Sequence, residues 1–115
     1  MAQRKRSTAS LKRRRERLAQ RLPDLERVLR GSLVQRFRKC GKPGCHCVED
    51  GGHGPTYYLS LTLAPGKTRS YYVSEEQRRR IARYLDNNRK LRELVEDIVS
   101  VNRELLERGE LDDPT

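Results

Sequence analysis

Apolar residues recur along this chain in three different rhythms. Leu11, Leu18, Leu22, Leu25 and Leu29 follow one another at steps of seven, four, three and four, one stripe of a helix with a period near 3.6. Tyr57, Leu59, Leu61 and Leu63 alternate with Tyr58, Ser60 and Thr62, the period of a half-buried strand. Further on, Ile81, Asn88, Val95 and Asn102 fall seven apart, and Tyr84, Leu91, Ile98 and Leu105 repeat the interval with an offset of three. This is a heptad pattern, with Asn at two of its four a positions.

The residues between these rhythms set the element boundaries. Residues 1–8 read as a disordered basic arm, and Thr8 or Ser10 can cap a helix over 9–30. Pro23 either kinks that helix or restarts it, with Asp24 in the new first turn, and Gly31 ends it. A strand over 31–39 follows, with Val34 and Phe37 as its main apolar residues. Ala64-Pro65-Gly66-Lys67 turns the strand over 55–63 into a returning strand over 68–73. With Pro65-Gly66 as a two-residue loop, Leu59 faces Tyr72 and Thr62 faces Arg69. Tyr57, Leu59, Leu61, Leu63 and Tyr72 then share a buried face, and Tyr58, Tyr71 and Arg69 the other. Ser74-Glu-Glu-Gln77 is a capping box that opens a long helix over 75–108, and 109–115 reads as a frayed acidic tail.

The last helix carries a wide apolar band, because Leu85, Leu94, Val99, Val101 and Leu106 flank the heptad positions. Such a band calls for two packing partners: the leucine stripe of the first helix and a second copy of the chain. Ile81, Tyr84, Asn88, Leu91, Val95, Ile98, Asn102 and Leu105 are the expected oligomerisation residues of a homodimer, the asparagines fixing register. An ordinary amphipathic helix packed within one subunit is the alternative.

Chemistry concentrates in the stretch Cys40-Gly-Lys-Pro-Gly-Cys45-His46-Cys47-Val-Glu-Asp-Gly-Gly-His53. Thiolates and a neutral imidazole are the ligands zinc prefers, and a closed four-ligand site is structural. Cys40, Cys45, Cys47 and His53 are the expected ligands. His46, between two ligand cysteines, is the weaker fourth candidate. Competing readings are a disulfide, which would leave an odd thiol, and a redox or catalytic centre, for which there is neither a Cys-x-x-Cys nor a base. The expected fold is thus α+β: an N-terminal amphipathic helix, a zinc-pinned three-stranded antiparallel sheet over 31–74, and a long coiled-coil-like C-terminal helix.

The composition explains why such a site is needed. Of 115 residues, 37% are charged and 34% hydrophobic, so a large core is not available. No apolar run has the length of a membrane span, and the first residues lack the hydrophobic segment of a signal peptide. With reduced cysteines, a cytoplasmic location is expected. The net charge of +10 is uneven: residues 1–39 carry 14 Lys/Arg against 3 Asp/Glu, a balance of +11. A field of this sign attracts polyanions, nucleic acid first (DNA before RNA) and acidic membrane second, and a solvated helix face without a ligand is the alternative. Arg13, Arg14, Arg15 and Arg17 are expected at phosphates, with Arg36, Arg38, Lys39, Lys42, Lys67 and Arg69 on or near the sheet. Tyr58 and Tyr71 are the candidate base or sugar contacts.

Gly31-Ser-Leu-Val34, the basic strand, the cysteine block and His53-Gly-Pro-Thr-Tyr57-Tyr58 together resemble a family of small uncharacterised prokaryotic proteins. The resemblance covers about residues 9–108. It implies a leucine-rich helix before the block, a Gly-Lys-Thr-Arg hairpin after it, a long charged helix at the end, and a neighbourhood of mobile elements. It supplies an architecture and no mechanism. Thr56 departs from it, standing where the family more often has an aromatic. A three-stranded sheet leading into a helix also resembles the plan of the arm-binding domains of phage-type integrases, in which the sheet enters the major groove; this is a likeness of architecture. The function expected is a zinc-binding, dimeric DNA-binding accessory protein, a regulator or a helper of a transposase or recombinase. A protein-interaction adaptor acting through the C-terminal helix is the alternative. No paired carboxylates, nucleotide loop or nucleophile–base pair suggests an enzyme.

Overall fold

A computed structural model of the protein describes residues 6–38, 44 and 52–113. The element order is α1 (Thr8–Ala19), β1 (Gly31–Arg38), β2 (His53–Ala64), β3 (Lys67–Val73) and α2 (Glu75–Glu107). This is the α+β architecture expected, with a three-stranded antiparallel sheet in the order β1-β2-β3. The chain divides into two compact units, Met1–Glu26 with Arg89–Thr115, and Arg27–Asn88, and α2 runs through both.

The first unit is built from α1 and the C-terminal part of α2. Ser7 caps α1, accepting a hydrogen bond on its hydroxyl from the Ser10 N–H at 3.1 Å, one residue before the earlier of the two expected caps. The helix ends at Ala19 rather than near residue 30, so only Leu11 and Leu18 of its stripe are buried, and Leu22 and Leu25 stay exposed. The conformational restriction that Pro23 imposes on the residue before it favours the stop. Leu11 and Leu18 pack with Leu94, Val101 and Leu105, and Ile98 lies against this cluster.

α2 ends in a Schellman motif. Gly109, at positive φ, donates its N–H to the Leu106 carbonyl at 2.9 Å, and Glu110 donates to the Leu105 carbonyl at 2.9 Å. Two residues of the expected frayed tail, Glu110 and Asp112, are bonded to α1. Arg15 makes a two-pronged ion pair with Asp112, at 2.9 and 2.6 Å, and Thr8 donates to Glu110.

The second unit holds the sheet. Gly31 opens β1 where a Cβ would collide with the Ser60 carbonyl oxygen, so a side chain there would push the two strands apart. The Pro65-Gly66 turn is the two-residue loop expected, closing with Ala64 opposite Lys67. The register beyond it is one residue off the expectation, because a bulge lies between Thr62 and Ala64. Pro65 cannot take the positive φ of the hairpin turns that match strand twist, and a bulge beside the turn restores the pairing. Leu59 therefore faces Tyr71, Tyr58 faces Tyr72, and Leu61 faces Arg69. Paired residues share a face, so Tyr71 and Arg69 lie with Leu59, and Tyr72 with Tyr58, the reverse of the expected sorting.

The start of α2 covers the Leu59 face. Arg78 stacks on Tyr57, 4.7 Å from the ring centroid, and Leu59 and Val73 are buried there. Ser74 caps the helix as expected, its hydroxyl accepting from the Gln77 N–H at 3.2 Å. The Leu29 N–H donates to the Tyr84 carbonyl, which fastens the segment before β1 to the helix.

Candidate nucleic-acid interface

The charged residues of the three strands are Arg36, Arg38, Lys67 and Arg69, and no Asp or Glu occurs in any strand. All four are exposed. Arg36 is placed by β1, with Thr56 opposite it, and the Thr56 hydroxyl donates to the Arg36 carbonyl at 3.2 Å. Its guanidinium lies 4.7 Å from the Tyr58 ring centroid, a cation–π contact. Tyr58 and Tyr72 meet edge to face, centroids 5.9 Å apart and ring planes at 76°. Register thus assembles Arg36, Tyr58 and Tyr72 on the face opposite α2. Tyr72 was not among the expected site residues; a proline in the hairpin turn, with the bulge it favours, is the signal that could have placed it there.

The other expected nucleic-acid residues separate. Tyr71 and Arg69 lie on the Leu59 face by register, Lys67 begins β3 at the turn, and Arg38 ends β1. In α1, Arg13 and Arg17 are exposed, and Arg17 sits in the last turn, where a cation meets the negative end of the helix dipole. Arg14 is half-buried in a cleft that Asp97 and Glu104 also line. Arg15 is committed within its unit, donating to Asp112 and, at 2.9 Å, to the Asn102 side chain. Its hydrogen bond is the main cause holding the Asp112 carboxyl at about 2, below its ordinary 3.8. Lys39 and Lys42 lie outside the described residues.

Of the expected metal ligands, Cys40, Cys45 and Cys47 lie outside the described residues, as does His46. His53 is the first residue of β2 and is exposed, with Arg38 as its partner across the sheet. The two strands that bracket the cysteine block are therefore paired at its mouth. Among the described residues no group of three or more His, Cys, Asp or Glu comes together.

The expected oligomerisation residues also divide. Leu105, fully buried, and Ile98 belong to the intrachain cluster, and Asn102 is bonded to Arg15. Ile81 and Tyr84 line a cleft with Leu29, and Asn88 and Leu91 are half-buried. Val95 is exposed, and with Val99 and Leu106 it forms a second apolar stripe at steps of four and seven. Val99, Asn102, Arg103, Leu106 and Leu111 line a shallow, open cleft of about 290 Å³. Among the described residues no helix is long and apolar enough to cross a membrane.

The family model for a domain of unknown function, DUF6788, matches residues 8–83, and the chain belongs to that family. No curated protein and no solved structure matches the chain.

Proposed function

We propose that this chain is a small zinc-binding, dimeric DNA-binding accessory protein, a regulator or a mobile-element helper working with a transposase or recombinase in the cytoplasm. The observation that carries this reading is the sheet whose four Lys/Arg have no carboxylate among the strands. Four exposed cations without an acid among the strands make the field around the sheet positive, and a polyanion is the ligand it attracts. Within the helical unit, Arg13 and Arg17 on α1 are exposed and free to meet phosphates by themselves, whereas Arg15 serves its own unit. Zinc suits the cysteine block because Arg38 and His53 pair across β1 and β2. Cys40 follows Arg38 by two residues in the sequence. Cys40, Cys45, Cys47 and His53 would hold the metal, whose work is structural. No catalytic role is assigned to any residue.

The adaptor reading draws on the exposed Val95, Val99 and Leu106 stripe, which a partner helix could cover. A gel shift with random duplex DNA at rising salt separates the two. The DNA reading expects binding that weakens by a log–log slope of about −0.9 per neutralised phosphate. Little binding at physiological salt would leave the adaptor reading standing.

A further inference from the structure

The face of the sheet opposite α2 holds more than cations. Val34, Tyr58 and Tyr72 form one row across the three strands, and Arg36 and Thr56 form the next. On the other side of the tyrosine row lie Ser32, Ser60 and Ser70, then Thr62 and Thr68. The face therefore reads as a cation stacked on an aromatic pair, followed by a floor of short hydroxyl side chains. Such a floor lets a ligand approach the sheet closely, and it offers donors and acceptors of neutral charge.

Tyr72 is 66% exposed, the most open of the large hydrophobic side chains among the described residues. It is not a loose ring, because the Tyr58 ring holds it edge to face and Arg36 braces Tyr58 from its own face. A large aromatic surface held in one place while still in water stacks on a ligand with little further loss of side-chain entropy. The ligand it fits is planar, aromatic and anionic overall. An unpaired nucleobase on a phosphate backbone has this chemistry, and base-on-aromatic stacking tolerates any sequence. A duplex offers the ring no free base face, since its bases are stacked on one another.

We propose that this face is a stacking site for an unpaired base of single-stranded nucleic acid, with Tyr72 as the platform. Tyr58 and Arg36 act as its positioning residues, and Arg36 is also available to the phosphate beside the stacked base. The proposal rests on the nucleic-acid reading above and adds the strand chemistry to it.

The test is fluorescence anisotropy of the full chain at one stated salt concentration. The probes are an oligothymidylate, an abasic strand of equal length, and a duplex. Tyr72→Ala should weaken oligothymidylate binding by roughly 5- to 100-fold. It should leave duplex affinity within about twofold and the salt slope unchanged, since no charge is removed. Tyr72→Phe should bind as the wild type does. The abasic strand should bind weakly to the wild type and no more weakly to Tyr72→Ala. If Tyr72→Ala fails to fold, Tyr72→Leu keeps the bulk without the π face and should show the same loss.

Single-strand affinity unchanged by Tyr72→Ala, or an equal loss on duplex, would overturn the proposal. Wild-type binding to duplex alone would also overturn it, leaving the DNA reading intact. Binding to neither probe removes both readings and assigns the tyrosine pair to a protein partner.

Discussion

In the helical unit, Leu11, Leu18, Leu94, Val101 and Leu105 close around one another; among the described residues of the sheet unit only Leu59 and Val73 are buried hydrophobics. The charges differ in the same way. The helical unit pairs Arg15 with Asp112, Arg89 with Glu93 and Arg108 with Glu104. The strands of the sheet unit carry Arg36, Arg38, Lys67 and Arg69 and no acid. One unit closes an apolar cluster and pairs several of its charges internally, although Val95, Val99 and Leu106 stay exposed. The other has a thin core and a field left open, and it carries the cysteine block between its first two strands. The contrast separates helices that hold themselves together from a sheet whose proposed zinc and nucleic acid would supply what its own residues do not.

If the cysteine block holds zinc as proposed, removing the metal should break the two units unequally, and it is the largest effect expected. We expect one zinc per chain, measured on protein purified without added metal. Chelation or Cys45→Ser should abolish hydrogen-exchange protection in β1–β3 while the buried helical cluster keeps its own. Zinc-site formation in small domains is worth on the order of 10 kcal/mol of folding free energy at neutral pH. A folded sheet in metal-free protein would refute the dependence. The reciprocal change is Leu105→Ala, at a fully buried side chain of the helical cluster. It should cost about 2–5 kcal/mol in denaturant unfolding, with the loss of protection confined to α1 and the C-terminal part of α2.

A smaller effect concerns the stripe that the helical unit leaves exposed. If a second copy covers Val95, Val99 and Leu106, light scattering at micromolar concentration should give a dimer mass. Val99→Asp should shift it to a monomer, because an unpaired carboxylate is costly in an apolar seam. A wild-type monomer would reduce the heptad to its intrachain half.

The smallest effect is a pH dependence of the helical unit. The Asp112 carboxyl is depressed to about 2 from 3.8, so its contribution is present above its ordinary value and is lost as pH falls toward 2. Wild type should melt above Asp112→Ala at pH 5, and the gap should close as pH approaches 2. A gap that persists at pH 2 would mean that the loss is one of packing and not of charge.

Local signals made much of this fold legible. The strand around Tyr57 to Leu61, the Pro65-Gly66 turn and the Ser74 cap each depend on neighbours in the chain, and each stands where expected; Leu63, expected on the buried face, is half exposed at the bulge. What could not be read depended on distant partners or on one-residue shifts. The stripe through Leu22, Leu25 and Leu29 continues the period of α1 after the helix has stopped at Ala19. Arg15 looked like its arginine neighbours, and its difference lies in Asp112, 97 residues away. A single bulge exchanged Tyr71 for Tyr72 on the open face. The cysteine block is the plainest feature of the sequence, and its three cysteines lie outside the described residues.

The central claim is that the acid-free sheet faces nucleic acid, and the salt dependence of duplex binding tests it most directly. The comparison is between wild type and the fourfold variant R36Q/R38Q/K67Q/R69Q, after circular dichroism shows that both are folded. The account predicts weaker binding to all duplex sequences alike. It also predicts a slope of log affinity against log salt that is shallower by roughly 0.9 for each phosphate no longer neutralised. Affinity and slope equal to those of the wild type would contradict it.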